Sequence, residues 1–354
     1  MGERVIVGAM SVIEFQRAFE ECTILSPTGE PDTHRIEVRR DPLTGARSLY
    51  GPRLSGKAVI GATDTALLES HATETAARCF LCGDRWRQTT PTFPEALVSG
   101  GRIEVGEAVL FPNLFPIDAV HAVIRMCARH DVRLHELAPG LILDSLRAAA
   151  RFVQCVGANQ PARHLTINCN FLFPAGASIA HPHLQMLGGS TPCSWLERVL
   201  FAAGAWRAEH GGTCYFDELV EEERRLGERY IGETGPAVWL TAFSPQGTNE
   251  VVGLLPARLS FRELDDDDLA GLAEGLSRVL ATYGEMGLST FNFALFSGPL
   301  PDGDPAFRCQ LRVISRQTVH RNYRTDDYFL QRLLGDELIL VTPEDLAARL
   351  RGRF

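Results

Sequence analysis

Two stretches of the chain spell the same succession of elements, and a repeated unit restricts the possible folds more sharply than composition does. A helix is expected from about Pro139 to Val156, with Ile142, Leu146, Ala149 and Val153 forming an apolar stripe. A second is expected from Asp266 to Tyr283, opened by an acidic turn that suits a helix N-terminus. After the first come the apolar strand His164 to Phe173, a Pro/Gly/Ser loop, and a strand running from His181 to Leu187. After the second come Ser289 to Pro299, a Pro/Asp/Gly loop, and Arg308 to Ile314. Duplication is one explanation, and a chance match of two helix-strand units is the other. Upstream, the alternation Arg35-Ile36-Glu37-Val38 and the turn Asp41-Pro42-Leu43-Thr44-Gly45 into Ser48-Leu49-Tyr50 mark the start of a sheet. The expected fold class is α+β: two related halves, each an antiparallel sheet with packed helices, divided as 1–195 and 196–354. The charged run Glu221 to Arg225 reads as a solvated helix face.

At 354 residues the chain exceeds what one hydrophobic core usually organises, which agrees with two domains or one duplicated unit. It is 45% hydrophobic and 22% charged, and no segment approaches the roughly 20 uninterrupted apolar residues that span a bilayer. Met1 to Val7 has a short apolar stretch but no long hydrophobic region with a cleavage site, so a cytoplasmic location is expected and a membrane is not an expected partner. A formal net charge of -9 argues against nucleic acid as a partner, since gripping its backbone needs a clustered basic surface. A local site could still hold a small anion. The nine cysteines show no disulfide-framework spacing, and apart from Cys79 and Cys82 they are scattered.

In His181-Pro182-His183-Leu184-Gln185-Met186-Leu187, strand alternation places His181, His183 and Gln185 on one face and Leu184 and Met186 on the other. Pro182 cannot donate to a sheet ladder, so the strand end should border a loop or an edge. The preceding loop, Pro174 to Ser178, offers Gly176 for close backbone approach and the Ser178 hydroxyl as a donor, a pairing suited to phosphate. A neutral imidazole is a nucleophile toward phosphorus once its second ring nitrogen is held, and His183 fits that role. Gln185 and Ser178 could supply donors to the developing charge. The competing reading makes His181 and His183 structural, or a metal pair without catalysis. Cys79-Phe80-Leu81-Cys82 has the separation that lets two thiolates reach one zinc ion; His130 and His181 are the candidate remaining ligands, and such a four-ligand zinc would be structural. A redox pair or two uninvolved thiols are the alternatives.

Taken in order, several segments resemble the galactose-1-phosphate uridylyltransferase family of the histidine-triad superfamily, which also includes nucleotide-sugar phosphorylases. They are Arg40 to Gly45, Cys79 to Asp84, Phe111-Pro112-Asn113-Leu114-Phe115-Pro116, Ala128 to Asp131, and Asn170 followed by Gly176, Ser178 and His181 to Gln185. The resemblance runs from about Arg39 to the end. It implies a duplicated histidine-triad-like fold with a catalytic first half, a degenerate second half, and a homodimer. It implies zinc on Cys79, Cys82, His130 and His181, a nucleoside contacted by Asn113 and Asn170, and phosphate oxygens held by Ser178 and Gln185 beside Gly176. His183 would carry the nucleotidyl group between a nucleotide sugar and a phosphorylated acceptor.

The chain departs from that pattern in four places. Arg308-Cys309-Gln310 stands where the family often has His-Trp-His, so no second metal is expected there. The family's hexose-phosphate segment is not recognisable in Asn322 to Gln331, and Leu172 and Leu184 occupy positions usually held by glycine. Arg308, Arg312, Arg316, His320 and Arg321 form a basic group that either binds an anion or is a solvated strand edge. The leading expectation is a nucleotidyltransferase. Its rivals are a phosphorylase or hydrolase using the same intermediate, a catalytically silent nucleotide-binding protein, and a zinc-dependent interaction module.

Overall fold

The computed structural model describes residues 13–55, 62–159, 162–322 and 325–354. The Met1 to Val7 stretch, and Tyr323 and Arg324 of the Asn322 to Gln331 segment, lie outside the described residues. The chain opens with strands β1 (Arg17–Leu25), β2 (Pro31–Arg40) and β3 (Arg47–Tyr50), then helices α1 (Pro52–Ser55), α2 (Thr65–Ala76) and α3 (Trp86–Thr89). The first repeat follows as β4 (Ile103–Val105), β5 (Ala108–Pro112), β6 (Val120–Arg125), α4 (Pro139–Asn159), β7 (His164–Phe171) and β8 (His183–Gly189). Helices α5 (Ser194–Glu209) and α6 (Tyr215–Leu226) lead into the second: β9 (Tyr230–Thr234), β10 (Ala237–Thr241), β11 (Val251–Leu254), α7 (Asp266–Glu285), β12 (Phe291–Phe296) and β13 (Gln310–Ser315). Strand β14 (Asp336–Ile339) and helix α8 (Pro343–Arg351) complete it.

The sheet order makes the duplication explicit. Ten strands run β4-β5-β6-β8-β7-β12-β13-β11-β10-β9, so each half has the same internal order and the halves meet at β7 and β12. That junction is antiparallel, from Phe171 opposite Phe291 to Thr166 opposite Phe296. The sequence suggests one sheet per half; the two are continuous because pairing β7 with β12 satisfies backbone groups that two exposed edges would leave open. The other sheet, β1-β2-β3-β14, has four strands and one parallel pair, β3 with β14, which ties the start of the chain to its end.

Both expected helices form and pack side by side on one face of the large sheet. Leu146, Ala149 and Val153 of α4 and Leu272, Leu276 and Val279 of α7 share a core with Ile124, Leu184, Met186, Leu295 and Leu311. Helix α7 starts as its acidic turn predicts: Asp265 caps the Asp268 amide at 3.0 Å and Asp268 returns the bond to the Asp265 amide at 2.9 Å. In the second half the opposite face is covered by α5 and α6, whose Leu196, Val199, Tyr215 and Phe216 pack on Val238, Leu240, Leu254 and Phe296. In the first half that face carries a small cluster of Cys79, Leu81, Trp86, Val109, Phe111 and Val123 instead. No helix among the described residues is long and apolar enough to cross a membrane.

Candidate active site and metal centre

The Cys79 to Cys82 segment coils directly after α2, with the Cys79 amide donating to Ala76 and the Cys82 amide to Cys79, and it presents both sulfurs on one side. Cys79, Cys82, His130 and His181 each aim one ligand atom into a space where all four lie within 4.8 Å of one another. The His181 Nδ1 atom is 3.6 Å from Cys79 Sγ and 3.5 Å from Cys82 Sγ, and His130 Nδ1 is 3.3 Å from Cys82 Sγ. A tetrahedron with metal–sulfur bonds of about 2.3 Å and metal–nitrogen bonds of about 2.0 Å has sulfur–nitrogen edges of about 3.5 Å, so the donor set fits a metal ion. Each imidazole is held through its other nitrogen, His181 Nε2 to the Cys127 carbonyl at 2.8 Å and His130 Nε2 to Thr75 Oγ1 at 2.9 Å. These contacts leave both Nδ1 lone pairs for the metal. Burial pushes His181 down to about 4, which keeps it neutral. Burial and the neighbouring Cys79 push Cys82 up to about 11, a shift that a bound cation reverses by taking the thiolate.

Strand β8 begins at His183, so His181 lies outside it and turns toward the cysteines, whereas simple alternation puts both on one strand face. The reason is Pro182: it offers its carbonyl to the Met126 amide at 3.1 Å but has no amide to continue the ladder. His183 is buried, with 5% of its surface exposed, and its Nδ1 sits 2.8 Å from the His181 carbonyl. A carbonyl can only accept, so Nδ1 carries the proton and Nε2 keeps its lone pair. Nε2 has no hydrogen-bond partner among the described residues. Burial lowers the His183 pKa, so the ring is neutral at physiological pH. The strand's other face, Leu184 and Met186, is in the core, so Leu184 points away from His183.

Gln185 and Asn113 meet through a residue that sequence motifs do not flag. His121 Nδ1 accepts from the Ile117 amide at 3.3 Å, which places its proton on Nε2, and Nε2 donates to Gln185 Oε1 at 2.9 Å. Asn113 Nδ2 lies 3.0 Å from the same nitrogen, while its Oδ1 accepts from the Phe115 amide at 2.9 Å. The Gln185 amide nitrogen therefore stays free to donate. Asn170 is held similarly from the second half: Asn292 Nδ2 donates to Asn170 Oδ1 at 2.7 Å and to the Ala175 carbonyl at 2.9 Å. Asn292 is fixed in turn by Arg316, itself paired with Asp326. Gly176 has a φ of 88°, left-handed as the loop requires, and Leu172 has a φ of 67° and ψ of 167°. That region is nearly glycine-only and costs about 1–3 kcal/mol, so the leucine in a usual glycine position is strained. Ser178 is exposed and borders a cavity with Thr75, Arg78, Cys79 and His130; among the described residues no hydrogen bond joins it to His183 or Gln185. The signal for His121 was alternation in Val120-His121-Ala122-Val123-Ile124-Arg125, which puts His121 and Arg125 on the face of His183.

Of the basic group of the second half, His320 and Arg321 are exposed, as a solvated edge requires, whereas the other three members are each bound to a carboxylate. Arg308 pairs with Asp217, Arg312 with Glu250, and Arg316 with Asp326.

No protein-family model matches the sequence. Among solved structures the fold is similar to an ADP-glucose phosphorylase from Arabidopsis thaliana with bound ADP-glucose, with a TM-score of 0.68 at 17% identity, covering 89% of this chain and 98% of that one. It is similar also to a uridylyltransferase, with a TM-score of 0.64 at 20% identity, covering 89% and 98%. The protein thus has a duplicated α+β fold similar to that of these two enzymes. Over 339 residues it is 30% identical to an uncharacterized protein of Archaeoglobus fulgidus, covering 96% of this chain and 98% of that one, and it belongs to the family of that protein.

Proposed function

We propose that the protein is a nucleotidyltransferase that moves a nucleoside monophosphate from a nucleotide sugar, or a related diphosphate, to a phosphorylated acceptor. The observation that carries this reading is His183: buried, neutral, and held through Nδ1 so that Nε2 is the reactive nitrogen. In the first step the Nε2 lone pair attacks the phosphorus bearing the nucleoside. The phosphorus–oxygen bond to the leaving phosphate breaks, its electron pair departs with that group, and a phosphorus–nitrogen bond forms. In the second step an acceptor phosphate oxygen attacks the same phosphorus and the bond to His183 breaks. Nδ1 keeps its proton throughout, and the His181 carbonyl stabilises the charge that builds on the ring.

Gln185 donates its free amide to a phosphate oxygen, and Asn113 and Asn170 contact the nucleoside, with Gly176 allowing close approach of the loop. Ser178 would have to swing inward to join the phosphate. Residues 1–195 form the catalytic half and 196–354 the supporting half, in a cytoplasmic homodimer. Cys79, Cys82, His130 and His181 would hold a zinc ion, which would fix the His181 backbone that orients His183.

The test is intact-protein mass spectrometry after brief incubation with UDP-glucose, ADP-glucose or GDP-mannose, followed by a chase with glucose 1-phosphate, galactose 1-phosphate, inorganic phosphate or buffer. A nucleoside monophosphate adduct discharged by a sugar phosphate is the expected result. Discharge by inorganic phosphate alone would make the enzyme a phosphorylase, and no adduct with any donor would sink the proposal.

A further inference from the structure

Three arginines among the described residues are more than nine-tenths buried: Arg39 at 1% exposed, Arg229 at 0% and Arg125 at 6%. The first two obey the rule that a buried charge is paired. Arg39 donates to Glu37 at 2.7 Å and to Glu344 at 2.9 Å and 3.0 Å, and Arg229 donates to Glu223 at 2.8 Å and Glu344 at 3.1 Å. Arg125 breaks it. Among the described residues it has no carboxylate partner and no side-chain hydrogen bond, and its Nε is enclosed with nothing to donate to. Removing a guanidinium from water without a counter-charge is costly, and such a group persists where the anion arrives from outside.

Its position says which anion. Arg125 ends β6 directly opposite His183 in β8, and two residues back Val123 stands opposite Gln185. Residues opposite one another in an antiparallel pair share a face, with Cβ atoms about 5 Å apart. Arg125, His183 and Gln185 therefore rise from neighbouring points on one surface. A guanidinium offers its N–H groups in a planar fork that matches two oxygens on one phosphorus. We infer that Arg125 is the oxyanion-binding residue of this site, its guanidinium taking the non-bridging oxygens of the phosphoryl group that His183 attacks. This rests on the reading of His183 as a nucleophile on phosphorus.

The charge on those oxygens grows toward the transition state, and a fixed cation beside them accelerates both steps without moving a proton. Arginine stays protonated, so the atoms balance as written above. The metal centre does not supply the missing anion. Two thiolates and a divalent cation sum to zero charge, and Cys82 Sγ contacts His130 and His181 rather than Arg125.

The experiment is isothermal titration of the metal-loaded protein with AMP, UMP, adenosine and uridine, comparing wild type with Arg125→Met and Arg125→Lys, each also in a His183→Ala background. Wild type is expected to bind the preferred monophosphate at least tenfold more tightly than its nucleoside. Arg125→Met should erase that preference while leaving nucleoside affinity unchanged, and Arg125→Lys should keep part of it because charge survives and the fork does not. An unchanged preference in Arg125→Met overturns the inference, as does loss of metal with the preference intact. So does a wild type with no preference for the monophosphate. Should Arg125→Met fail to fold, Arg125→Lys decides: a full wild-type preference together with a wild-type rate of adduct formation overturns it. A preference that depends on Arg125 and persists in the His183→Ala background, with no covalent adduct in any protein, supports the subsite while the nucleophile reading falls.

Discussion

The two halves offer the same stretch of sheet with opposite contents. Strand β8 pairs with β7 as β13 pairs with β12, so His181, His183 and Gln185 in the first half stand where Arg308, Gln310 and Arg312 stand in the second. In the first, Nε2 of His183 and the amide nitrogen of Gln185 have no hydrogen-bond partner among the described residues. In the second, both arginine counterparts are engaged, one by a covering helix and one by a neighbouring strand end, and Gln310 is enclosed with only its side-chain oxygen bonded. Arg308 clamps Asp217 of α6, Arg312 pairs with Glu250 and lies 5.1 Å above the Trp195 ring of α5, and Trp195 packs on Phe296 at 4.2 Å. Gln310 is fully buried and lines a cavity of about 50 Å³; its Oε1 accepts from Arg312 at 3.3 Å and its Nε2 has no partner among the described residues. A backbone that can present a nucleophile has been filled with aromatic side chains and tied shut by ion pairs. What each half offers to a ligand thus follows from a few side chains and from what lies over them, rather than from the fold.

The comparison breaks most visibly if the first half is rewritten as the second. His183→Gln with Gln185→Arg should lower the single-turnover rate of adduct formation by at least about 10⁴-fold, since the other imidazole on that face, His121, has both ring nitrogens engaged. A residual rate above about a hundredth of wild type would place the chemistry elsewhere. Metal content sharpens the contrast next. One equivalent per chain is expected by elemental analysis, and Cys82→Ser should weaken it by roughly a hundredfold or more. A second equivalent that survives Cys82→Ser would mean that the second half has its own centre.

Asn292→Ala tests whether the second half supports the first. Loss of the bonds to Asn170 and Ala175 should weaken nucleotide binding by about tenfold, on the scale of about 1–1.5 kcal/mol, with the unfolding transition little changed. An effect on thermal stability alone would reduce Asn292 to a structural role. The pH profile gives a smaller effect. Because burial lowers the His183 pKa, its reactive neutral form persists below the ordinary histidine value of about 6.5, so the adduct rate should stay flat from pH 8 to pH 6.5 and fall only in more acidic solution. A fall centred near or above pH 6.5 would contradict the buried, neutral ring. The smallest change is expected for Gln310→Met: activity unchanged, and stability unaltered or raised by up to about 1 kcal/mol, as an unpaired buried donor is removed.

Much of this was legible in the sequence because it is local. The stripe in α4, the acidic start of α7, the Cys79 to Cys82 spacing and the His181 to Gln185 segment all announce themselves within a few residues. What was hidden depends on distant pairing. The junction of β7 with β12 is decided by how two edges dock, and the fate of Arg308, Arg312 and Arg316 by carboxylates up to 91 residues away. His121 and Arg125 sat in plain alternation, but nothing local distinguishes a polar residue on a buried strand that serves a site from one that serves the core. His181 left its expected strand face because a proline ladder break and a metal-binding geometry outweighed simple periodicity.

The central claim is that His183 alone carries the nucleotidyl group. Brief reaction with the productive donor, digestion at mildly alkaline pH to preserve an acid-labile phosphorus–nitrogen bond, and tandem mass spectrometry would locate the adduct directly. The account predicts one nucleoside monophosphate on His183 and none in residues 196–354; an adduct mapped to any other residue, or a wild type that turns over substrate with His183 unmodified, would contradict it.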